Sequence, residues 1–145
     1  MSTRLAKPVV LLIFLSLMAT LVGALKFSSC EQSLWATPDQ YVHACYSDIP
    51  ALYGERGLSK GQWAYSNGAE SVEYPVVTGA VMWALAYITP NGDDAVKNYF
   101  NINIFFIALL LILISLIIYK FRPEFAYLYP LAPAGIASLY INWDL

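Results

Sequence analysis

The side chains able to do chemistry in this chain gather in two short stretches, His43-Ala44-Cys45-Tyr46-Ser47-Asp48-Ile49-Pro50 and Glu73-Tyr74-Pro75. A carboxylate within hydrogen-bond reach of a hydroxyl can take its proton while an electrophilic carbon opens. One such base is enough when the leaving group is already good, as a phosphate is. Asp48 is the first candidate for that work, and its plain alternative is a helix N-terminal carboxylate favoured by the dipole. Glu73 opens an apolar segment, where charge is costly and often functional, unless it stays in interfacial water. His43, the only histidine, could bind a phosphate or orient an acceptor, or be an ordinary surface residue. Arg56 and Lys60 could meet a lipid phosphate or simply be solvated. Asp144, after Asn142-Trp143, is either a buried functional group or an interfacial cap.

What positions these residues is oil. Of 145 residues, 59% are hydrophobic and 12% charged, against about 25% charged in soluble domains. No charge interrupts Pro8 to Leu25 or Phe105 to Ile118, and a run of roughly 20 apolar residues is what a helix needs to cross the hydrocarbon layer. The expected class is an all-α, polytopic transmembrane helical bundle of about four spans, over 8–25, 72–89, 100–119 and 125–141. A large extracytoplasmic loop, 26–71, carries short amphipathic helices. Arg4 and Lys7 place the N-terminus in the cytoplasm by the positive-inside rule. The first segment reads as an uncleaved helix in the cell membrane, with a signal peptide as the alternative. Trp35, Trp63, Tyr65, Tyr87, Tyr99 and Tyr119 suit interfacial belts better than a sugar platform. One tension follows: if every segment crosses, Lys120 and Arg122 fall outside, against the same rule. A segment near Val72 that dips without crossing would remove it.

Within the loop, Ser47 can cap a helix over Asp48 to Gly57, Pro50 fits its first turn and Gly57 its end. Ile49, Leu52 and Tyr53 share a face, which suits a helix lying on the membrane surface. Cys30 and Cys45, the only cysteines, both lie in this outer loop, where thiols oxidise. A bridge there would clamp Tyr46 and Asp48; two free thiols are the alternative. There is no second Cys pair or His cluster to hold a metal, no basic run for nucleic acid and no Gly-rich loop for a nucleotide.

Tyr46-Ser47-Asp48-Ile49-Pro50, Leu52-Tyr53, Arg56-Gly57-Leu58, Glu73-Tyr74-Pro75-Val76, Thr78-Gly79-Ala80 and Asn142-Trp143-Asp144-Leu145 stand in that order along the chain. From about Asp39 onward it thereby resembles the N-terminal part of actinobacterial membrane glycosyltransferases of family 87, the polyprenol-phosphate-mannose-dependent type with GT-C architecture. The resemblance implies transfer of a sugar, mannose or similar, from a polyprenyl-phosphate donor to a glycolipid or glycan acceptor of the cell envelope on the outer face. It implies Asp48 as catalytic base, with Tyr46, Arg56, Glu73, Tyr74 and Asp144 as substrate contacts, and no metal, cofactor or nucleotide. Members of that family carry many more helices, so the resemblance also implies a fragment that is inactive alone. A small non-catalytic membrane protein with a disulfide-closed, partner-binding outer loop is the competing expectation. A transporter fragment is a third, weakened because the carboxylates sit in a loop and at span entrances, not mid-helix.

Overall fold

The computed structural model describes residues 2–66 and 71–143. The chain is helical, with no strand among the described residues. Its elements are α1 (Ser2–Leu25), α2 (Ser28–Gln32), α3 (Asp39–Val42), α4 (Asp48–Glu55), a 3₁₀ turn (Leu58–Lys60), α5 (Val76–Tyr87), α6 (Ala95–Phe121), α7 (Leu128–Leu131) and α8 (Pro133–Ser138). They form two compact units.

The first unit holds the residues up to Phe27 and Ile104–Tyr140. It contains α1 and the part of α6 from Ile104 onward; the segments Lys7–Leu25 and Ala95–Phe121 are both long and apolar enough to cross a membrane. Only 28% of either apolar window is buried within the protein, which is far from the near-complete burial of a soluble core helix. On α1 the covered stripe is Leu12, Ser16, Ala19 and Thr20; on α6 it is Ile107, Ala108, Leu111 and Ser115. Both repeat at helical spacing and are rich in small residues, which let helices approach closely without a hydrophobic drive between them. Ser16 Oγ donates to Ser115 Oγ at 3.3 Å, and Thr20 Oγ1 to the Ser16 carbonyl at 2.8 Å. Phe14, Leu21, Phe105 and Leu113 stand exposed on the other faces, as lipid-facing side chains would.

The segment expected to cross at 125–141 is instead two short helices, α7 and α8, parted by Ala132 in an extended conformation. The residue before a proline is pushed out of the α region, and Pro133 follows Ala132. Both helices pack on α1. Lys26 Nζ donates to the Ala137 carbonyl at 3.3 Å and Tyr140 Oη to the Thr20 carbonyl at 3.3 Å.

The second unit holds Ser28–Asn103 and the short stretch from Ile141. Cys30 and Cys45 are joined by a disulfide, and Trp35 Nε1 donates to the Cys45 carbonyl at 3.1 Å. The core is aromatic: Trp35 lies 4.6 Å from Phe100, and Tyr53 stacks on Tyr99 at 4.3 Å. The face of α4 expected to lie on the membrane is therefore used otherwise. Ile49 and Tyr53 are buried inside the protein, because Tyr99, which is far away in sequence, offers Tyr53 a ring to stack on.

α5 also departs from expectation. Its mean composition is that of a span, but it has only 12 residues, about 18 Å at 1.5 Å per residue, against a hydrocarbon core of about 30 Å. Loop residues grip it at both ends. Near its start, Tyr65 Oη donates to the carbonyls of Tyr74 and Pro75, each at 2.9 Å. Toward its end, Trp83 Nε1 donates to the Gly61 carbonyl at 3.4 Å.

Candidate functional site

The site is built from three neighbouring pieces of chain. The first is the start of α4. Ser47 takes up extended backbone geometry at the N-cap, and its Oγ accepts from the Ile49 N–H at 3.2 Å, which satisfies one of the donors a helix start leaves over. The Asp48 N–H is tied to the Ile141 carbonyl at 2.7 Å. Asp48 is thereby fixed at the first turn with its carboxylate half-buried. The disulfide anchors the chain just before it, at Cys45.

The second piece is Glu73-Tyr74-Pro75, which leads into α5. Tyr65 bridges two of its carbonyls, and that close approach explains Gly79. A Cβ on Gly79 would run into the Tyr65 hydroxyl, so the position must be bare for the tyrosine to reach over the helix start. The third piece is the end of α4, where Arg56 caps the helix and Gly57, at φ +71°, turns the chain into the 3₁₀ turn. Left-handed backbone of this kind favours glycine, and a Cβ at Gly57 would also strike Gln62.

Together these pieces converge on Asp48. Tyr46 Oη donates to its Oδ1 at 2.8 Å, and Tyr74 Oη donates to its Oδ2 at 2.9 Å. Each carboxylate oxygen has room for roughly two hydrogen bonds, so both keep accepting capacity beyond the tyrosines. The Tyr46 phenol is pushed up to about 12, first by its hydrogen bond to Asp48, then by burial and by the nearby negative charge. It therefore stays a protonated donor at any physiological pH. Beside this triad, Arg56 Nη2 meets Glu73 Oε1 at 2.7 Å, with the Glu73 side chain 82% exposed.

Of the residues expected to act, the structure brings Tyr46, Asp48 and Tyr74 into one hydrogen-bonded group and pairs Arg56 with Glu73. Arg56 and Glu73 thus engage each other and do not stand as two separate groups. Asp144 lies outside the described residues. His43 turns to Asp39, with Nδ1 2.9 Å from the carboxylate, and Lys60 lies on the 3₁₀ turn. Sequence reasoning missed two parts of the apparatus. Tyr65 was placed in an interfacial belt, whereas it clasps the start of α5. Gly79 stood without an assigned role, and it makes room for Tyr65. A Tyr-to-Gly interval across a turn carries no local pattern, so no signal could have announced the pair.

No protein-family model, no curated protein and no solved structure matches this chain.

Proposed function

We propose that the chain is the N-terminal part of an integral membrane glycosyltransferase in which Asp48 is the base. The observation that carries this reading is a half-buried carboxylate held by a tyrosine hydroxyl on each oxygen, in a loop between two membrane-length helices. An acceptor hydroxyl reaching Asp48 gives its proton to the carboxylate. Its oxygen lone pair then forms the new bond to the sugar's anomeric carbon. The bond from that carbon to the phosphate oxygen breaks, and the electron pair leaves with the polyprenyl phosphate. Tyr46 and Tyr74 are positioning residues: donors already on the carboxylate fix its orientation before the acceptor arrives. Arg56 is a cation available to a donor phosphate, which would displace the exposed Glu73 carboxylate.

The supporting topology follows from α5. With both its ends gripped by loop residues, α5 lies alongside the loop and does not cross. α1 then runs outward and α6 returns, so Lys120 and Arg122 join Arg4 and Lys7 in the cytoplasm, as the positive-inside rule asks. Residues 26–94 face outward, in the cell membrane's outer boundary, where a lipid-linked sugar and a glycolipid or glycan acceptor both have access.

The competing reading, a non-catalytic membrane protein whose disulfide-closed loop binds a partner, is favoured by one fact: the same tyrosines tie α4 to the start of α5, which a purely structural clamp would also do. The two part on Asp48→Asn in the complete gene, assayed by transfer from radiolabelled polyprenyl-phosphate mannose in membranes. Loss of a general base lowers turnover by about 10²–10⁴-fold with expression and the disulfide intact. Turnover equal to wild type would remove Asp48 from the chemistry.

A further inference from the structure

A recess lies at the C-terminal end of α5. It is a cavity of about 290 Å³ lined by Ser59, Lys60, Gly61, Tyr87, Thr89 and Asn91 among others. Along α5, about 18 Å of helix lies between Tyr74, which holds Asp48, and Tyr87 at this recess; on its other side the lining begins at Leu58, two residues after Arg56. The Thr89 hydroxyl is spent on the Leu85 carbonyl at 2.8 Å, and the Gly61 carbonyl takes the Trp83 indole N–H. The side chains of Ser59, Lys60, Tyr87 and Asn91 make no hydrogen bond or ion pair among the described residues. Four polar side chains thus border one hollow with their bonding capacity unspent among the described residues. Its aromatic wall is braced: Trp83 stands edge-on to Trp63 at 5.2 Å and lies 5.7 Å from the Tyr87 ring, which is 73% exposed.

The chemistry of this lining selects a ligand class. A compact anion is disfavoured, because Lys60 is the only cation lining the cavity among the described residues and the C-terminal end of α5 presents the negative pole of its dipole. Donors are present in the Lys60 ammonium and the Asn91 amide, and acceptors in the Asn91 oxygen and the hydroxyls. The face of an aromatic ring is negative and attracts the weakly positive C–H groups of a sugar ring. The volume lies just below the roughly 300–1,000 Å³ typical of ligand sites, which is room for one ring. We propose that this cavity binds a single uncharged polyhydroxylated ring, such as one hexose unit of a glycan, with Tyr87 against its face and Ser59, Lys60 and Asn91 on its hydroxyls.

The test reads binding alone, so a failure of sugar transfer at Asp48 leaves it standing. The full chain, in a detergent without a sugar headgroup, is titrated with methyl α-mannopyranoside, methyl β-glucopyranoside and inorganic phosphate. Binding is followed by saturation-transfer NMR. The expected result is saturation of the ring protons of at least one glycoside, with affinity reduced about tenfold by Tyr87→Ala and by Asn91→Ala. Tyr87→Phe, which keeps the ring, retains most of the binding, and Asp48→Asn leaves it unchanged. Asn91 is exposed, so its variant keeps the test decisive should Tyr87→Ala disturb the fold. Absence of saturation by both glycosides, wild-type affinity in Asn91→Ala, or displacement of the glycoside by phosphate would each overturn the proposal.

Discussion

The two ends of α5 differ in how their polar groups are used. At its start, Asp48 holds two tyrosine hydroxyls, Arg56 holds Glu73, and Tyr65 bridges two carbonyls. At its end, Ser59, Lys60, Tyr87 and Asn91 border a hollow without side-chain hydrogen bonds among the described residues. Groups bonded to one another fix geometry and keep only a little capacity for a substrate. Unspent groups do little for stability and have everything to offer a ligand. The first arrangement suits a reacting carboxylate that must not wander, the second suits recognition.

This contrast can be pressed by substitution, beginning with the largest effect on the fixed end. Replacing Cys30 and Cys45 by Ala removes a bridge spanning 15 residues, which costs about 3 kcal/mol in the chain-entropy account. The denaturation midpoint should fall accordingly, and an unchanged midpoint would mean that the clamp before Tyr46 holds nothing. Gly79→Ala comes next. The new methyl displaces Tyr65 from both carbonyls, at about 2 kcal/mol for donors and acceptors left unmade. If the clash is with Tyr65, the cost largely disappears in a Tyr65→Ala background, the non-additivity expected of residues in contact.

A smaller effect is a titration. The Tyr46 phenol is raised from 10.0 to about 12 by Asp48 and burial. In the unfolded chain it ionises near 10, so its contribution to stability is complete below pH 10. That contribution is lost as pH climbs from 10 through about 12, because the unfolded state releases its proton first. The ultraviolet difference between wild type and Tyr46→Phe should show a phenol ionising near 12, and Asp48→Asn should bring it down. A phenol at the ordinary value in the wild type would dissolve the triad. Smallest of all, Asn91→Ala and Lys60→Ala, both at exposed positions, should change stability by no more than about 0.5 kcal/mol, which thermal denaturation can check.

How much of this was legible in the sequence depends on whether the cause was local. The long apolar helices α1 and α6 were, because an uninterrupted run states its own length. The capped start of α4 was too, since Ser47, Asp48 and Pro50 act within one turn. The fate of the α4 apolar face was not, because Tyr53 meets Tyr99 across about a third of the chain. α5 is apolar enough to suggest a span, and what marks it otherwise is its short length and the non-local grip of Tyr65 and Gly61. Residues 125–141 carried a local warning in Pro130 and Pro133, and the break falls at the residue before Pro133. For the candidate site, the residue types pointed to Asp48, Arg56 and Glu73 and the family resemblance to Tyr46 and Tyr74, but neither told that they would pair with one another. The recess at 59–61 and 87–91 was invisible, since its two sides are brought together only by the packing of the 3₁₀ turn on α5.

Both cysteines are bridged, so a single introduced cysteine is the one reactive thiol in the chain. Labelling of Glu73→Cys, Asn91→Cys and Lys120→Cys with a membrane-impermeant maleimide in intact cells therefore reports sidedness directly. The expected result is that positions 73 and 91 both react from outside, and position 120 reacts only after permeabilisation. Reaction of position 91 from the cytoplasm alone would mean that α5 crosses the membrane, and would put the two ends compared here on opposite sides.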